Sequence, residues 1–275
     1  MIPDTARWSD LPPGVRAAVE DHAGHVTEDE LWGEGLGTSL RLSLTTASGK
    51  VFVKGAAPGD PARRHRKLDA GAALTPYVEQ VAPRLLWHVK HDGWNLAGYQ
   101  RLPGRPWADQ GPGSPDIPGI AGVLRELTAI PAPATLTETV RECYEAYADD
   151  PGALDGDRLV HRDPNPCNFV TDGHRTWLVD WGWAARGPAW VTPALLVLSM
   201  MESGWEPGAA EHALAPVPGW KDAPPHALAS FADAHARMWE ESLAGAPENK
   251  VFKFRAGIAR TYARHRTPQP ETTAP

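Results

Sequence analysis

The chain has 275 residues, of which 42% are hydrophobic and 22% are charged, a composition typical of globular proteins long enough for two lobes. Its two cysteines, Cys143 and Cys167, exclude a disulfide scaffold and a four-cysteine zinc site, and they favour a reducing, cytoplasmic setting. The net charge of −7 argues against a nucleic-acid-binding protein, whose basic surface must neutralise phosphates. The longest apolar run, 193–201, is about half of the roughly 20 residues that a membrane span needs, and residues 1–10 lack an apolar signal-peptide core. We therefore expect neither a membrane span nor a signal peptide.

The first hundred residues predict a small antiparallel sheet with flanking helices. Apolar positions with helical spacing predict helices at 12–22 and 61–81. Between and after them, apolar and polar residues alternate, and turn residues separate the runs. These alternating runs predict strands at 40–44, 51–54, 84–89 and 94–102.

Proline and glycine become frequent at 102–115, which indicates a boundary between two lobes. Helical periodicity dominates after this boundary, apart from a short β-rich insert at 158–179. The predicted helices of this part are 117–130, 136–148, 189–201, 227–243 and 251–265. We therefore expect an α+β chain with lobes at 1–101 and 102–275.

The polar loop within 159–170 carries the strongest chemical signal. It contains His161, Asp163 and Asn168 between two apolar runs, and Asp180 follows twelve residues after Asn168, in Asp-Trp-Gly. Phosphoryl transfer from ATP needs a carboxylate at the acceptor hydroxyl and oxygen ligands that hold Mg²⁺ against the phosphates. The spacing His-x-Asp-x-x-x-x-Asn followed by Asp-x-Gly is that of kinases. Unrelated turn residues beside prolines are the alternative interpretation.

Two upstream features complete a phosphate-binding set. Lys54 ends an alternating strand, as does a kinase lysine that contacts the nucleotide phosphates. Before that strand, the segment 33–39 has glycines at alternate positions and ends in Ser39, so its backbone N–H groups can lie over phosphates. A flexible turn explains the glycines equally well.

In this order, the glycine loop, Lys54, Leu102-Pro103-Gly104-Arg105, the loop with Asp163, and Asp180 resemble the aminoglycoside phosphotransferase family. The resemblance covers residues 31–194 and implies a protein-kinase-like bilobal fold. That fold has a small, five-stranded antiparallel sheet in an N-terminal nucleotide-binding lobe and a larger, mainly helical C-terminal lobe with the catalytic loop and acceptor site.

The resemblance also implies a role for each motif. Asp163 becomes the catalytic base, and Asn168 and Asp180 become the Mg²⁺ ligands. The implied ATP-binding residues are Lys54, Gly35 and Ser39, with the backbone of Gln100 to Leu102 at the adenine.

Two positions depart from the pattern of the family. Its members place a glutamate on the helix after the lysine strand, where it pairs with the lysine, but residues 63–76 contain no glutamate. Asp69 is therefore the first candidate for this pairing, and Glu79 is the second. Thr192 stands where relatives often carry an acid that braces the catalytic loop.

Acidic residues are concentrated in the segment 200–248, which has eight acids against two bases. Such a concentration favours a cationic small-molecule acceptor, although a solvated helical face has the same composition. Glu240 and Glu241 follow Trp239 on a predicted helix, and Asp222 lies in a proline-flanked loop. We therefore predict that Asp222, Glu240 and Glu241 contact the acceptor.

The sequence thus predicts an ATP- and Mg²⁺-dependent phosphotransferase that acts on a hydroxyl of an aminated small molecule. Aminoglycoside-like antibiotics are the leading acceptors, and their phosphorylation would confer resistance. Amino-alcohol and sugar kinases are near alternatives. A catalytically silent, nucleotide-binding regulator is the alternative of another class, favoured by the missing helix glutamate. Turnover with an amine-bearing acceptor distinguishes the silent regulator from the enzymes.

Overall fold

The computed structural model describes residues 6–32 and 40–267. The chain forms two compact units. The first unit comprises Met1–Arg105 and Trp177–Ala184, and the second comprises Pro106–Thr176 and Ala185–Pro275. The sequence suggested one boundary, between 101 and 102, whereas the structure places it after Arg105 and returns a later segment to the first unit. Lys54 and Asp180 therefore belong to the same unit.

The first unit is built on a five-stranded antiparallel sheet, as the family resemblance implied; the alternating runs predicted four of its strands and missed the first, β1. Its strand order is β1-β2-β3-β5-β4. The strands are β1 (Val26–Leu31), β2 (Leu40–Thr46), β3 (Gly49–Ala56), β4 (Leu85–His91) and β5 (Trp94–Gln100). β1 has the sequence VTEDEL, whose one run of acidic residues lacks the alternation that predicted the other strands.

Two helices accompany this sheet, α1 (Pro13–Ala23) and α2 (Ala62–Leu74). Leu42 and Leu44 of β2 are fully buried, and they belong to the same hydrophobic core as Val15 and Val19 of α1. The two-residue period of β2 and the helical period of α1 thus supply the two sides of one core. The predicted helix 61–81 ends earlier, at Leu74, because Thr75–Tyr77 tightens into a 3₁₀ turn around Pro76.

The second unit is mainly helical. Its helices are α3 (Ile117–Leu127), α4 (Val140–Tyr144), α5 (Val191–Glu202), α6 (Pro207–Leu214), α7 (Pro218–Lys221), α8 (Pro225–Gly245) and α9 (Lys250–Arg266). α5 is buried along its whole length except at Glu202. In the part of the chain that the structure describes, no helix has both the length and the hydropathy of a membrane span.

Four short strands lie on either side of the polar loop 161–168 and in the segment that follows it. They are β6 (Arg158–Val160), β7 (Phe169–Thr171), β8 (Thr176–Leu178) and β9 (Ala185–Gly187), and β6 pairs antiparallel with β9. The loop with Asp163 and Asn168 connects β6 to β7, and Asp180 follows β8 by two residues. The order strand, polar loop, strand is therefore the one that the apolar flanks predicted.

Candidate active site

Asp163 is the centre of a hydrogen-bonded loop in the second unit. Asn165 Nδ2 donates to Asp163 Oδ1 at 2.8 Å, and Asn168 Nδ2 donates to Asp163 Oδ2 at 3.1 Å. Asn168 Nδ2 also donates to the Asp163 carbonyl at 2.7 Å. Both carboxylate oxygens are thus held by amides five or fewer residues away, which fixes the orientation of a half-buried carboxylate.

Buried polar side chains from two other segments brace this loop. The backbone N–H of His161 donates to Thr192 Oγ1 at 2.9 Å, so a hydroxyl at the start of α5 contacts the loop where relatives often carry an acid. Gln110 Nε2 donates to the carbonyl of Pro164 at 3.0 Å, and Ser199 Oγ donates to Gln110 Oε1 at 2.6 Å. α5 therefore supports the loop at two points, through Thr192 and through Ser199.

The orientation of Asn168 suits a metal ligand. Because the Asp163 carbonyl can only accept a hydrogen bond, the side-chain nitrogen of Asn168 must face it. The amide oxygen Oδ1 is then directed away from Asp163, and an amide oxygen is a ligand that Mg²⁺ accepts. Within residues 6–32 and 40–267, no cluster of three or more His, Cys, Asp or Glu side chains has the arrangement of a metal site. Single oxygen donors such as Asn168 Oδ1 fit a metal that is held mainly by phosphates.

Lys54 and Asp180 form an ion pair in the first unit. Lys54 Nζ lies 3.0 Å from Asp180 Oδ1, and the side chains are 14% and 42% exposed. Asp180 has a left-handed backbone, with φ of 70°, which Asp tolerates better than most residues. Burial of the Tyr99 phenol and the nearby charge of Asp180 raise the pKa of Tyr99, so this phenol stays neutral beside the pair.

Solved structures of similar architecture include aminoglycoside phosphotransferases and a choline kinase. The apo form of a thermostable mutant of aminoglycoside phosphotransferase APH(4)-Ia aligns over 92% of this chain and 99% of its own, with a TM-score of 0.61 and 13% identity. A ternary complex of such a mutant with AMP-PNP and hygromycin B has a TM-score of 0.59, with 13% identity and the same coverage. Choline kinase LicA from Streptococcus pneumoniae covers 91% of this chain and 99% of its own, with a TM-score of 0.56 and 14% identity.

This chain has the kinase-like fold. The likeness of the solved structures confirms, at the level of the fold, the resemblance inferred from the motifs. No protein-family model matches the sequence, and no curated protein matches it. The activity therefore has to be argued from the residues of this chain.

Asp69 does not pair with Lys54, contrary to the first candidate pairing. Its carboxylate accepts hydrogen bonds from Lys90 Nζ at 2.9 Å and from Asn95 Nδ2 at 2.8 Å, and His88 Nε2 lies at 3.4 Å. Partial burial raises the pKa of Asp69, but the bonds from Lys90 and Asn95 outweigh it and the net pKa is lowered. Asp69 thus attaches α2 to β4 and β5. Glu79, the second candidate, is exposed in a turn.

The other predicted nucleotide contacts are partly described. Gly35 and Ser39, with the glycine-rich loop, lie outside the described residues. The backbone N–H of Gln100 donates to the carbonyl of Arg84 at 2.9 Å, so this donor is used inside the first unit. The carbonyl of Leu102 accepts a hydrogen bond from the Arg101 guanidinium. The backbone N–H of Leu102 makes no hydrogen bond to the described residues, and it is the group here best suited to a nucleotide base.

The three acids predicted for the acceptor occupy different surroundings. Glu240 accepts from Arg260 Nε at 2.7 Å and from Nη2 at 2.6 Å, and this guanidinium lowers the pKa of Glu240. Glu241 accepts from the Tyr147 hydroxyl, and Asp222 is exposed at the end of α7. The side chain of Arg260 thus already neutralises Glu240.

Glu202 is a candidate acceptor contact that the sequence pattern did not distinguish from the other acids of 200–248. It ends α5 with a side chain 28% exposed, and Arg255 Nε lies 3.3 Å from its Oε1. Burial raises the pKa of Glu202, Arg255 opposes this shift, and the charge of Asp163 adds to it. Asp163 is thus among the charged groups that act on Glu202. Its place at the end of the apolar helix α5 was the available signal.

Proposed function

We propose that this chain transfers the terminal phosphate of ATP to a hydroxyl group of a cationic small molecule. The observation that carries the proposal is the carboxylate of Asp163, held on both oxygens by Asn165 and Asn168 in a loop with kinase spacing. The pairing of Lys54 with Asp180 supports it, because these are the lysine and the acid that such chemistry needs at the phosphates.

The residues of the loop suit proton removal from the acceptor. The acceptor hydroxyl donates its proton to an oxygen of Asp163 as its own oxygen bonds to the γ-phosphorus, and the bond from that phosphorus to the β–γ bridging oxygen breaks to leave ADP. Lys54 would bind the phosphates, and Asn168 and Asp180 are the residues that would hold Mg²⁺. When bound, the metal supplies positive charge that offsets the charge on the phosphate oxygens.

Glu202 supports a cationic acceptor. The charge of Asp163 acts on the Glu202 carboxyl, and the Glu202 side chain is partly exposed at the end of α5, so we propose that it contacts a cationic group of the acceptor. An ammonium group there would favour the ionised form that burial disfavours. Asp222 and Glu241 remain predicted acceptor contacts, whereas Glu240 is not proposed because Arg260 already neutralises it. Aminoglycosides are the proposed class, in which case transfer would confer resistance, and amino alcohols are the second class because a choline kinase shares the fold.

Turnover of ATP against a panel of acceptors tests this proposal. We expect Mg²⁺-dependent formation of ADP with hygromycin B, other aminoglycosides, amino sugars or choline, and a phosphorylated acceptor in the mass spectrum. Neutral sugars of similar size are the matched controls. Binding of ATP without transfer to any member of the panel would contradict the proposal and favour a silent nucleotide-binding regulator.

A further inference from the structure

The turn that follows Asp180 is packed closely against α2. Residues Trp181–Trp183 form a 3₁₀ turn in the first unit. A Cβ added to Gly182 would lie 2.8 Å from the Lys67 carbonyl oxygen, closer than real side chains approach a backbone atom. On the helix side, a Cβ added to Gly71 would lie 3.5 Å from the backbone nitrogen of Gly182. Two glycines thus allow the helix and the turn to touch through their backbones.

A cation and an aromatic ring close the same contact. Lys67 Nζ lies over the ring of Trp183, 3.0 Å from its centroid. Lys67 is half-buried, whereas Trp183 is 43% exposed, so the ring is shielded from water on the side that faces the ammonium group. Attraction between a cation and an aromatic face strengthens when the cation is partly desolvated. The ring of Trp183 is thereby attached to α2 three residues after Asp180.

Asp180 itself needs such support. Its positive φ places it in a conformation that few non-glycine residues adopt, so neighbouring contacts have to fix it. Before it, the backbone N–H of Leu178 donates to the carbonyl of Val81 at 2.7 Å. After it, the contacts of Gly182 and Trp183 with α2 fix the chain. The acid is thus held on both sides by other parts of the first unit.

We propose that Lys67 and Trp183 are positioning residues for Asp180, and that α2 orients the metal-binding carboxylate through them. In the family that this chain resembles, a glutamate of this helix contacts the β3 lysine; here the helix instead holds the acid that pairs with the lysine. The inference rests on the proposed function, in which Asp180 binds Mg²⁺.

Mn²⁺ binding in the presence of saturating AMP-PNP, followed by electron paramagnetic resonance of the free ion, tests this role on the full chain. We expect Lys67→Met and Trp183→Leu each to weaken Mn²⁺ binding about tenfold, the effect of losing one such contact. The double variant should weaken it by little more than either single variant, because both changes break one contact. Lys67→Arg, which keeps a cation over the ring, should stay within about twofold of the parent.

The sign of the change separates positioning from simple electrostatics. Removing a positive charge near a metal site strengthens metal binding when nothing moves, so a positioning role and a charge effect act in opposite directions. Arg66→Met is the matched control, because Arg66 is exposed on the same helix and its substitution removes the same charge as Lys67→Met. Tighter or unchanged Mn²⁺ binding in Lys67→Met, with native circular dichroism, would overturn the inference.

Asp180→Asn separates this inference from the proposed function. Loss of Mn²⁺ binding in that variant supports the metal role of Asp180, and the Lys67 and Trp183 variants then decide whether α2 positions it. Unchanged Mn²⁺ binding in Asp180→Asn would overturn the metal role, and with it the positioning role. Trp183→Leu keeps the charge of Lys67, so it tests the contact even where Lys67→Met is unstable.

Discussion

Alanine at the two glycines that face each other in the first unit should change stability in opposite directions. Neither Gly71 nor Gly182 has a positive φ, so the backbone of each accepts alanine. At Gly182 the new Cβ would lie 2.8 Å from the Lys67 carbonyl oxygen and 3.0 Å from the Lys67 Cβ. At Gly71 its nearest neighbour is at 3.5 Å, which is ordinary van der Waals contact. One substitution therefore forces α2 and the turn apart, and the other does not.

The expected magnitudes follow from these distances. Forced overpacking costs about 1–3 kcal/mol, and the reduced entropy of the unfolded chain returns about 0.4–1 kcal/mol. Gly182→Ala should therefore destabilise the α2 contact by about 0.5–2 kcal/mol. Gly71→Ala lies inside a helix, where alanine is favoured over glycine by about 1 kcal/mol, so it should be neutral or stabilising.

Hydrogen exchange of the α2 amides is the suitable assay, because it reports local opening in a protein of two units, whereas one thermal midpoint averages over both. We expect faster exchange in Gly182→Ala and equal or slower exchange in Gly71→Ala. Slower exchange in Gly182→Ala, or a larger loss in Gly71→Ala, would refute the close backbone contact. Gly122→Ala on α3 controls for a general effect of alanine on a helix, because Gly122 is only half-buried and a Cβ added there would meet open space.

Three further outcomes are expected. Asp163→Asn should lower kcat by about 10²- to 10⁴-fold while the dissociation constant for ATP stays near that of the parent, as measured by steady-state kinetics and calorimetry. Asp69→Asn should lower stability above the ordinary carboxyl pKa, and the difference from the parent should vanish as the pH falls through the lowered pKa of Asp69. Urea titrations at several pH values measure this difference. Glu202→Gln should raise the KM for a cationic acceptor about tenfold with the KM for ATP unchanged. Glu240→Gln should change neither constant, because Arg260 already neutralises that acid. Equal effects of the two substitutions would contradict the role of Glu202.

The sequence predicted the features that depend on local pattern. The strands of the hairpin follow from alternation in 40–44 and 51–54, and the loop with Asp163 follows from a polar segment between apolar runs. Proximity within this loop was also predictable, because residues five apart can meet when the chain turns back. These are contacts that the chain makes with itself over a few residues, so their information lies in a short stretch of sequence.

The partners of charged groups were not predictable in the same way. The sequence offered Asp69 and Glu79 as partners of Lys54, whereas in the structure Lys54 pairs with Asp180 and Asp69 pairs with Lys90. Asp69 points to Lys90 and Asn95 because β4 and β5 bring these residues to its side of the helix. The contact of Thr192 with His161 spans 31 positions, and only the family resemblance indicated a residue at 192 that braces the loop. Pairings of this kind depend on tertiary register, which composition and periodicity do not encode.

The loss of the helix glutamate has a chemical consequence for the proposed reaction. If a glutamate of α2 paired with Lys54, the carboxylate of Asp180 would be available to the proposed metal alone. Here Lys54 pairs with Asp180, so the lysine and the proposed metal share that carboxylate. A lysine and a divalent cation repel each other, so both can stay at one carboxylate only when further negative charge is present. The phosphates of ATP supply that charge, and they would draw Lys54 toward themselves as the metal binds Asp180. The pairing of Lys54 with Asp180 therefore favours joint binding of nucleotide and metal over binding of the metal alone, and it makes a rigidly placed Asp180 more important than in a chain whose lysine has its own partner.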